Sequence, residues 1–247
     1  KDNVLVCDGE YNEANLEAII NKADVILLAL GESHMVTGEA RSLAQIELNS
    51  ECQKYVDFAN NFSKNKVAVF FCGRPLALEN NEANFNGMLY AWHSGSETAN
   101  AACDILFGDY NPNGKASVTF VRKTGHIPLY YNVTHASRYV NCYYDQDGHI
   151  IHTSYEDGQA TPLYPFGFGL SYADFKMETL SFEANETDIT ATVRVKNVSD
   201  TYAGKEVVML YSSSPKTALG TPAYELRGFA KTGIIPAGGE ETVTVSF

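Results

Sequence analysis

Apolar positions along this chain follow two rhythms. Over residues 12–22, Leu16, Ile19, Ile20 and Ala23 recur at i, i+3, i+4 and i+7, which is one face of a helix. The unbroken run Val25-Ile26-Leu27-Leu28-Ala29-Leu30 follows, too short for a membrane span and of the kind found in a central parallel strand. A polar loop then leads to Ser50-Glu51-Cys52-Gln53, a capping-box pattern that opens a helix over 51 to about 62 with Cys52, Tyr55, Val56 and Ala59 on one face. Residues 67–71 and 87–92 predict two more buried strands, and Ala99, Ala102, Cys103 and Leu106 predict a third helix, capped by Ser96. Helix and strand alternating three times imply a largely parallel sheet with right-handed crossovers and helices on both faces.

From 108 to about 172 this periodicity stops, and Gly, Pro, Asn, Asp and Tyr dominate. Tyr130, Tyr131, Tyr139, Tyr143, Tyr144, Tyr155 and Tyr164 make the stretch too apolar for disorder, so it is expected to be packed. After Phe175 the period becomes two. Ile189, Ala191, Val193 and Val195 alternate with polar residues, and 206–211 and 242–247 read the same way, the pattern of a β-sandwich. Its roughly 72 residues (176–247) are few for such a domain. The expected organisation is therefore an α/β domain over 1–160, a linker over 161–175, and an all-β domain over 176–247, incomplete and continuing beyond Phe247 in a longer parent.

Composition narrows the function classes. A net charge of -12 over 247 residues argues against nucleic acid and anionic membrane surfaces as partners. No apolar run approaches the ~20 residues of a membrane helix. Five cysteines without C-x-x-C spacing read as isolated buried thiols, so neither a zinc site nor a disulfide framework is expected, and a reducing, cytoplasmic compartment is favoured over a secreted one. The sequons at Asn132, Asn185 and Asn197 do not outweigh this. No G-x-G-x-x-G or P-loop occurs, so no cofactor is expected, and His93-Ser94-Gly95-Ser96 lacks the nucleophile-elbow frame.

The candidate chemistry sits in the loop after the first strand, where open α/β sheets meet their ligands. It holds Glu32, His34, Glu39 and Arg41. From spacing alone, Glu39 reads as a solvated loop carboxylate, Glu32 as an acceptor for loop amides, and His34 as a loop histidine without a catalytic partner.

Several segments in order across nearly the whole chain change that reading. They are Ala23-Asp24-Val25 to Gly31-Glu32, Gly38-Glu39-Ala40-Arg41-Ser42 with Leu48 and Gln53, and Gly73-Arg74-Pro75-Leu76. They continue with Gly108-Asp109-Tyr110-Asn111-Pro112-Asn113-Gly114-Lys115, Ile127-Pro128-Leu129-Tyr130-Tyr131, Pro162-Leu163-Tyr164-Pro165-Phe166-Gly167-Phe168-Gly169-Leu170-Ser171-Tyr172, and Leu226-Arg227-Gly228-Phe229. Together they resemble the carboxyl-terminal part of glycoside hydrolase family 3, the β-glucosidases and β-xylosidases. The resemblance implies an α/β-sandwich domain followed by a fibronectin-III-like domain. It also implies that an amino-terminal barrel domain, bearing an aspartate nucleophile, precedes Lys1 in the parent, and that the sandwich domain's own first strand and helix do so too.

By the same resemblance Glu39 is the general acid/base of a retaining exo-glycosidase, acting on terminal β-linked glucosyl or xylosyl residues of an oligosaccharide or glycoside. Family members commonly carry a Ser-Arg pair, then Asp, then Leu-Pro after that glutamate; here Leu43, Gln45 and Asn49 hold the corresponding places. Arg41 stands in for the usual arginine under a two-position slip, which makes it the expected substrate contact. The alternative reading is a non-catalytic scaffold or interaction module, and those three departures keep it open.

Overall fold

The computed structural model describes residues 4–7, 10–133, 142–144, 150–153, 155, 157–159, 161–213 and 221–247. The chain divides into two compact units, residues 1–103 with 120–127, and residues 104–119 with 128–247.

The first unit is built on three parallel strands, β1 (Val25–Gly31), β2 (Asn65–Phe71) and β3 (Gly87–Tyr90), in the order β1-β2-β3. Register runs from Val25 opposite Asn65 to Gly31 opposite Phe71, and from Val67 opposite Gly87 to Phe70 opposite Tyr90. Among the described residues β1 therefore flanks the sheet and β2 lies in its middle. One face of β1 buries Ile26, Leu28 and Leu30, while Val25 and Leu27 on the other remain about half exposed, at 49% and 52%. An all-aliphatic strand is apolar on both faces; which of them is covered depends on its neighbours.

The helices are α1 (Glu13–Ile20), α2 (Ser50–Ala59) and α3 (Thr98–Leu106). The predicted capping box is not what starts α2. Asn49 is the N-cap, accepting from the Cys52 N–H at 2.9 Å, and the Gln53 side chain turns away to Asp57 and Asn81. Asn49 prevails because its short amide also reaches the Gly31 carbonyl at 2.8 Å, tying the helix start to the end of β1. Helix α3 begins at Thr98, so Ser96 lies two residues outside it.

Between β2 and β3 the parallel crossover has no α-helix, only a single turn at Glu82–Asn84. The segment after β2 instead buries Leu76, Ala77 and Leu78, and Ala77 pairs with Glu47 as an isolated parallel bridge. Behind the sheet, Phe70 stacks on Tyr90 at 5.4 Å, and Phe120 meets the Tyr90 ring edge-on at 4.8 Å.

The second unit contains the hairpin β4 (Cys142–Tyr144) and β5 (Ile150–Thr153), then β6 (Phe175–Ala184), β7 (Ile189–Asn197), β8 (Val207–Ser212), β9 (Glu225–Lys231) and β10 (Glu240–Ser246). Among the described residues all of its pairings are antiparallel, with sheets β10-β7-β6 and β8-β9 besides β4-β5. Period-two alternation on β7 puts Ala191, Val193, Val195 and Asn197 inside, where Val193 and Val195 meet Val208, Ile235 and Val245. Asn197 is fully buried and its amide donates to the carbonyls of Tyr202 and Ile235, so this sequon is closed to a glycan in the folded chain.

The two most distinctive motifs of the sequence lie against each other in this unit. Ala116 N–H donates to Phe168 O and Gly167 N–H to Ala116 O, both at 2.7 Å. The Asn111 side chain accepts from Ser171 Oγ and Tyr172 N–H and donates to Ala203 O. Both motifs are thus backbone-organising. Of the aromatics expected to pack there, Tyr131 stacks on Phe166 at 4.2 Å and Tyr164 on Phe168 at 4.8 Å, whereas Tyr130 is exposed. Tyr139 and the side chains of Tyr143 and Tyr144 lie outside the described residues.

Of the four cysteines with described side chains, all free, only Cys72 is buried as the sequence predicts; Cys7 and Cys103 are exposed and Cys52 is intermediate. Among the described residues no helix is long and apolar enough to cross a membrane.

Candidate functional site

The loops that leave the carboxyl ends of β1, β2 and β3 gather one polar cluster in the first unit. Its centre is Glu32, immediately after β1, with a side chain only 4% exposed. One carboxylate oxygen, Oε2, accepts from the Gly73 N–H at 3.2 Å, which agrees with the sequence reading of Glu32 as an acceptor for loop amides. The other, Oε1, lies 3.0 Å from Arg74 Nε, off the N–H direction, so that contact is an ion pair without a well-aligned hydrogen bond. Arg74 also donates from Nη2 to the Val36 carbonyl at 2.7 Å.

The turn that carries Arg74 is fixed from β3. Tyr90 Oη donates to the Arg74 carbonyl at 2.9 Å and accepts from the Leu76 N–H at 2.7 Å. Burial, with further help from the neighbouring Cys72 thiol, pushes the Tyr90 phenol far above its ordinary range, so it stays a neutral donor. Burial likewise raises the Cys72 thiol to about 11. A second tether joins Thr37 Oγ1 to His93 Nε2 at 3.3 Å. A Cβ at Gly73 would sit 2.3 Å from Thr37 Oγ1 and 2.9 Å from His93 Nε2, so a larger residue there would displace this tether.

Glu39 and Arg41 occupy the outer part of this loop, and both are exposed. Arg41 N–H donates to Gly38 O at 3.2 Å, closing a turn with Glu39 and Ala40 at its tip, and both Gly38 (φ 116°) and Ala40 (φ 57°) are left-handed. Such a backbone costs about 1 kcal/mol for alanine. Among the described residues the Glu39 side chain makes no hydrogen bond or ion pair. His34 is exposed on the same loop.

The loop returns to the sheet through Glu47. Burial opposes its ionisation, but hydrogen bonds from the Thr124 N–H (3.1 Å) and hydroxyl (2.8 Å) outweigh it and hold the carboxyl below its ordinary value. Leu43 is exposed at 38%, and Asn49 is used as the cap described above.

Three residues of this region escape a reading by spacing. Arg74 lies in the Gly73-Arg74-Pro75-Leu76 segment, which by itself assigns it no role, and His93 stands in a His-Ser-Gly-Ser run without the elbow frame. Trp92, the single tryptophan of the chain, has φ 54° at the end of β3, with its ring 4.8 Å from that of Tyr90. A lone tryptophan at a predicted strand end was the signal available for it; its left-handed backbone was not legible. Among the described residues no group of three or more His, Cys, Asp or Glu side chains is placed to hold a metal.

Comparison with known proteins agrees with this layout. The family model for the glycosyl hydrolase family 3 C-terminal domain matches residues 9–172, and that for a fibronectin type III-like domain matches residues 206–247. A periplasmic β-glucosidase of Salmonella typhimurium is 35% identical over 230 residues, covering 92% of this chain and 29% of that protein. A β-xylosidase of Formosa agariphila is 32% identical over 91% of this chain and 30% of its own length. The crystal structure of a mutant β-glucosidase from Listeria innocua in complex with laminaribiose superimposes with a TM-score of 0.86 at 34% identity, covering 95% of this chain and 32% of that one. The chain thus spans about a third of the length of the relatives it matches. With an α/β domain on a parallel sheet, a fibronectin-III-like sandwich, and family segments in order throughout, this chain belongs to glycosyl hydrolase family 3.

Proposed function

We propose that this chain is the carboxyl-terminal part of a retaining exo-β-glycosidase and supplies its general acid/base, Glu39, to a site completed by an amino-terminal barrel domain. The observation that carries the reading is the state of Glu39. It is an exposed carboxylate with no partner among the described residues, at the tip of a left-handed turn on a loop whose inner half is tethered at several points. Glu32 and Glu47, by contrast, are engaged by loop groups. An exposed carboxylate without partners also fits a solvated loop position, and the family segments around Glu39 are what favour the catalytic role.

In the first step the carboxyl group of Glu39 gives its proton to the departing glycosidic oxygen. A carboxylate of the barrel, an aspartate by the family pattern, attacks the anomeric carbon as the carbon–oxygen bond breaks. In the second step the Glu39 carboxylate takes a proton from water, which attacks the same carbon and frees the sugar and the nucleophile. Such an acid works best where burial or a second carboxylate favours its protonated form, and Glu39 gains those surroundings only when another domain covers its loop. Substrates are terminal β-linked glucosyl or xylosyl units, supported by the relatives' names and by the laminaribiose bound in the Listeria enzyme. Arg41, two residues beyond Glu39, is the proposed substrate contact from this loop.

The competing reading is a non-catalytic module. It is favoured by Leu43, Gln45 and Asn49 standing where the family has other residues, with Asn49 engaged in capping. Assay of the full-length protein on nitrophenyl β-glycosides, wild type beside Glu39→Gln, separates the two. A loss of about 100-fold or more is expected; unchanged turnover removes Glu39 from the mechanism. The 247-residue chain alone is expected to hydrolyse none of these substrates.

A further inference from the structure

The geometry points to Arg74 as a positioning residue that sets the reach of Glu39 by holding the loop between them. This rests on the acid/base reading above. Glu32 and Arg74 form an ion pair whose side chains are only 4% and 21% exposed, and such pairs seldom add stability over apolar packing of similar volume. What the pair does provide is direction. Arg74 is ion-paired to Glu32, with Nε 3.0 Å from Oε1, and donates from Nη2 to the Val36 carbonyl 2.7 Å away, so its guanidinium joins the start of the loop to a point three residues before Glu39.

The arginine is itself held from behind. Tyr90 binds both the Arg74 carbonyl and the Leu76 N–H, and the Gly73 N–H binds Glu32. The loop after β1, the turn after β2 and the end of β3 therefore share one hydrogen-bonded frame, and Thr37 with His93 adds a second strut next to it. Beyond Thr37 no side chain holds Glu39 among the described residues, so its position derives from this frame. Displacement of a catalytic group by about 1 Å can cost on the order of 100-fold in rate. Lysine keeps the charge but lacks the rigid planar fork that fixes the spacing between Glu32 and Val36.

The test is made in the full-length protein with Arg74→Lys, Thr37→Val and Glu39→Gln. It compares kcat/KM on phenyl β-glucoside, whose leaving group needs a proton, with kcat/KM on 2,4-dinitrophenyl β-glucoside, whose leaving group does not. Arg74→Lys is expected to lose about 10- to 100-fold on the phenyl substrate and less than about threefold on the dinitrophenyl one. Thr37→Val, which disturbs no buried charge, is expected to show the same selectivity in weaker form. Equal losses on both substrates in both variants mean a structural role only and overturn the inference, as does no loss in either. If Glu39→Gln is selective and neither tether variant is, the positioning role alone falls. If Glu39→Gln itself lacks the selectivity, the acid/base reading fails and Arg74 falls with it.

Discussion

The Lys115 ammonium lies 2.9 Å from the Glu206 carboxylate and also donates to the Gly169 carbonyl at 2.8 Å, joining three separate segments of the second unit. Both side chains are largely buried, at 16% and 12% exposure. Removing one partner leaves the other charged and poorly solvated. Lys115→Ala is therefore expected to cost about 2–4 kcal/mol, read as a lower urea midpoint. Glu206→Gln should cost less, because an amide oxygen can still accept from Lys115 and from the Val207 N–H that Glu206 now binds at 2.7 Å.

Asn49 uses both ends of its amide, accepting from Cys52 N–H and donating to Gly31 O. Asn49→Ala should destabilise the first unit by about 1–2 kcal/mol, as lost N-caps do. Asn49→Asp keeps the acceptor and loses the donor, so its melting temperature should fall between those of wild type and Asn49→Ala.

The Cys72 thiol is fully buried, and burial raises its pKa from 9.0 to about 11. The unfolded chain loses this proton near pH 9 while the folded chain keeps it until near 11. The contribution is whole below pH 9 and is lost as pH rises through that window. Unfolding free energy should therefore decline over pH 9–11, by on the order of 2–3 kcal/mol from this group. Tyr90, also raised by burial, adds to the slope at the upper end. Cys72→Ala should flatten the decline by the cysteine's share in pH-dependent denaturation curves. With a thiol reagent at neutral pH, exposed Cys7 and Cys103 should react before Cys72.

Gly169 lies where a Cβ would meet the Gly114 carbonyl oxygen at 2.1 Å, well inside contact distance and against backbone that cannot yield easily. Gly169→Ala should force apart the two motifs that cross there and cost about 2 kcal/mol or more. Gly114→Ala, whose Cβ would meet nothing within 4 Å, is the control and should change the midpoint far less.

Amino-acid order alone carried the two rhythms, and with them most of the strands. The aliphatic run of β1, the apolar run of β2 and the alternation of β7 each declared their type, because side-chain period follows directly from backbone geometry. The family segments likewise marked Glu39 as the carboxylate to examine. Boundaries were less legible. Whether Asn49 or Ser50 caps α2 depends on the Gly31 carbonyl, which is 18 residues away in sequence and adjacent only in space.

Tertiary structure alone decided the rest. It placed β2 rather than β1 in the middle of the sheet, showed the motif-rich segment to be a seam of backbone hydrogen bonds around Asn111 and Lys115, and joined Glu32, Val36, Arg74 and Tyr90 into one frame. Local pattern reports what a residue prefers to bury or expose. Which partner meets it is set by chain closure over tens of residues, and the preferences of single positions do not encode that distance.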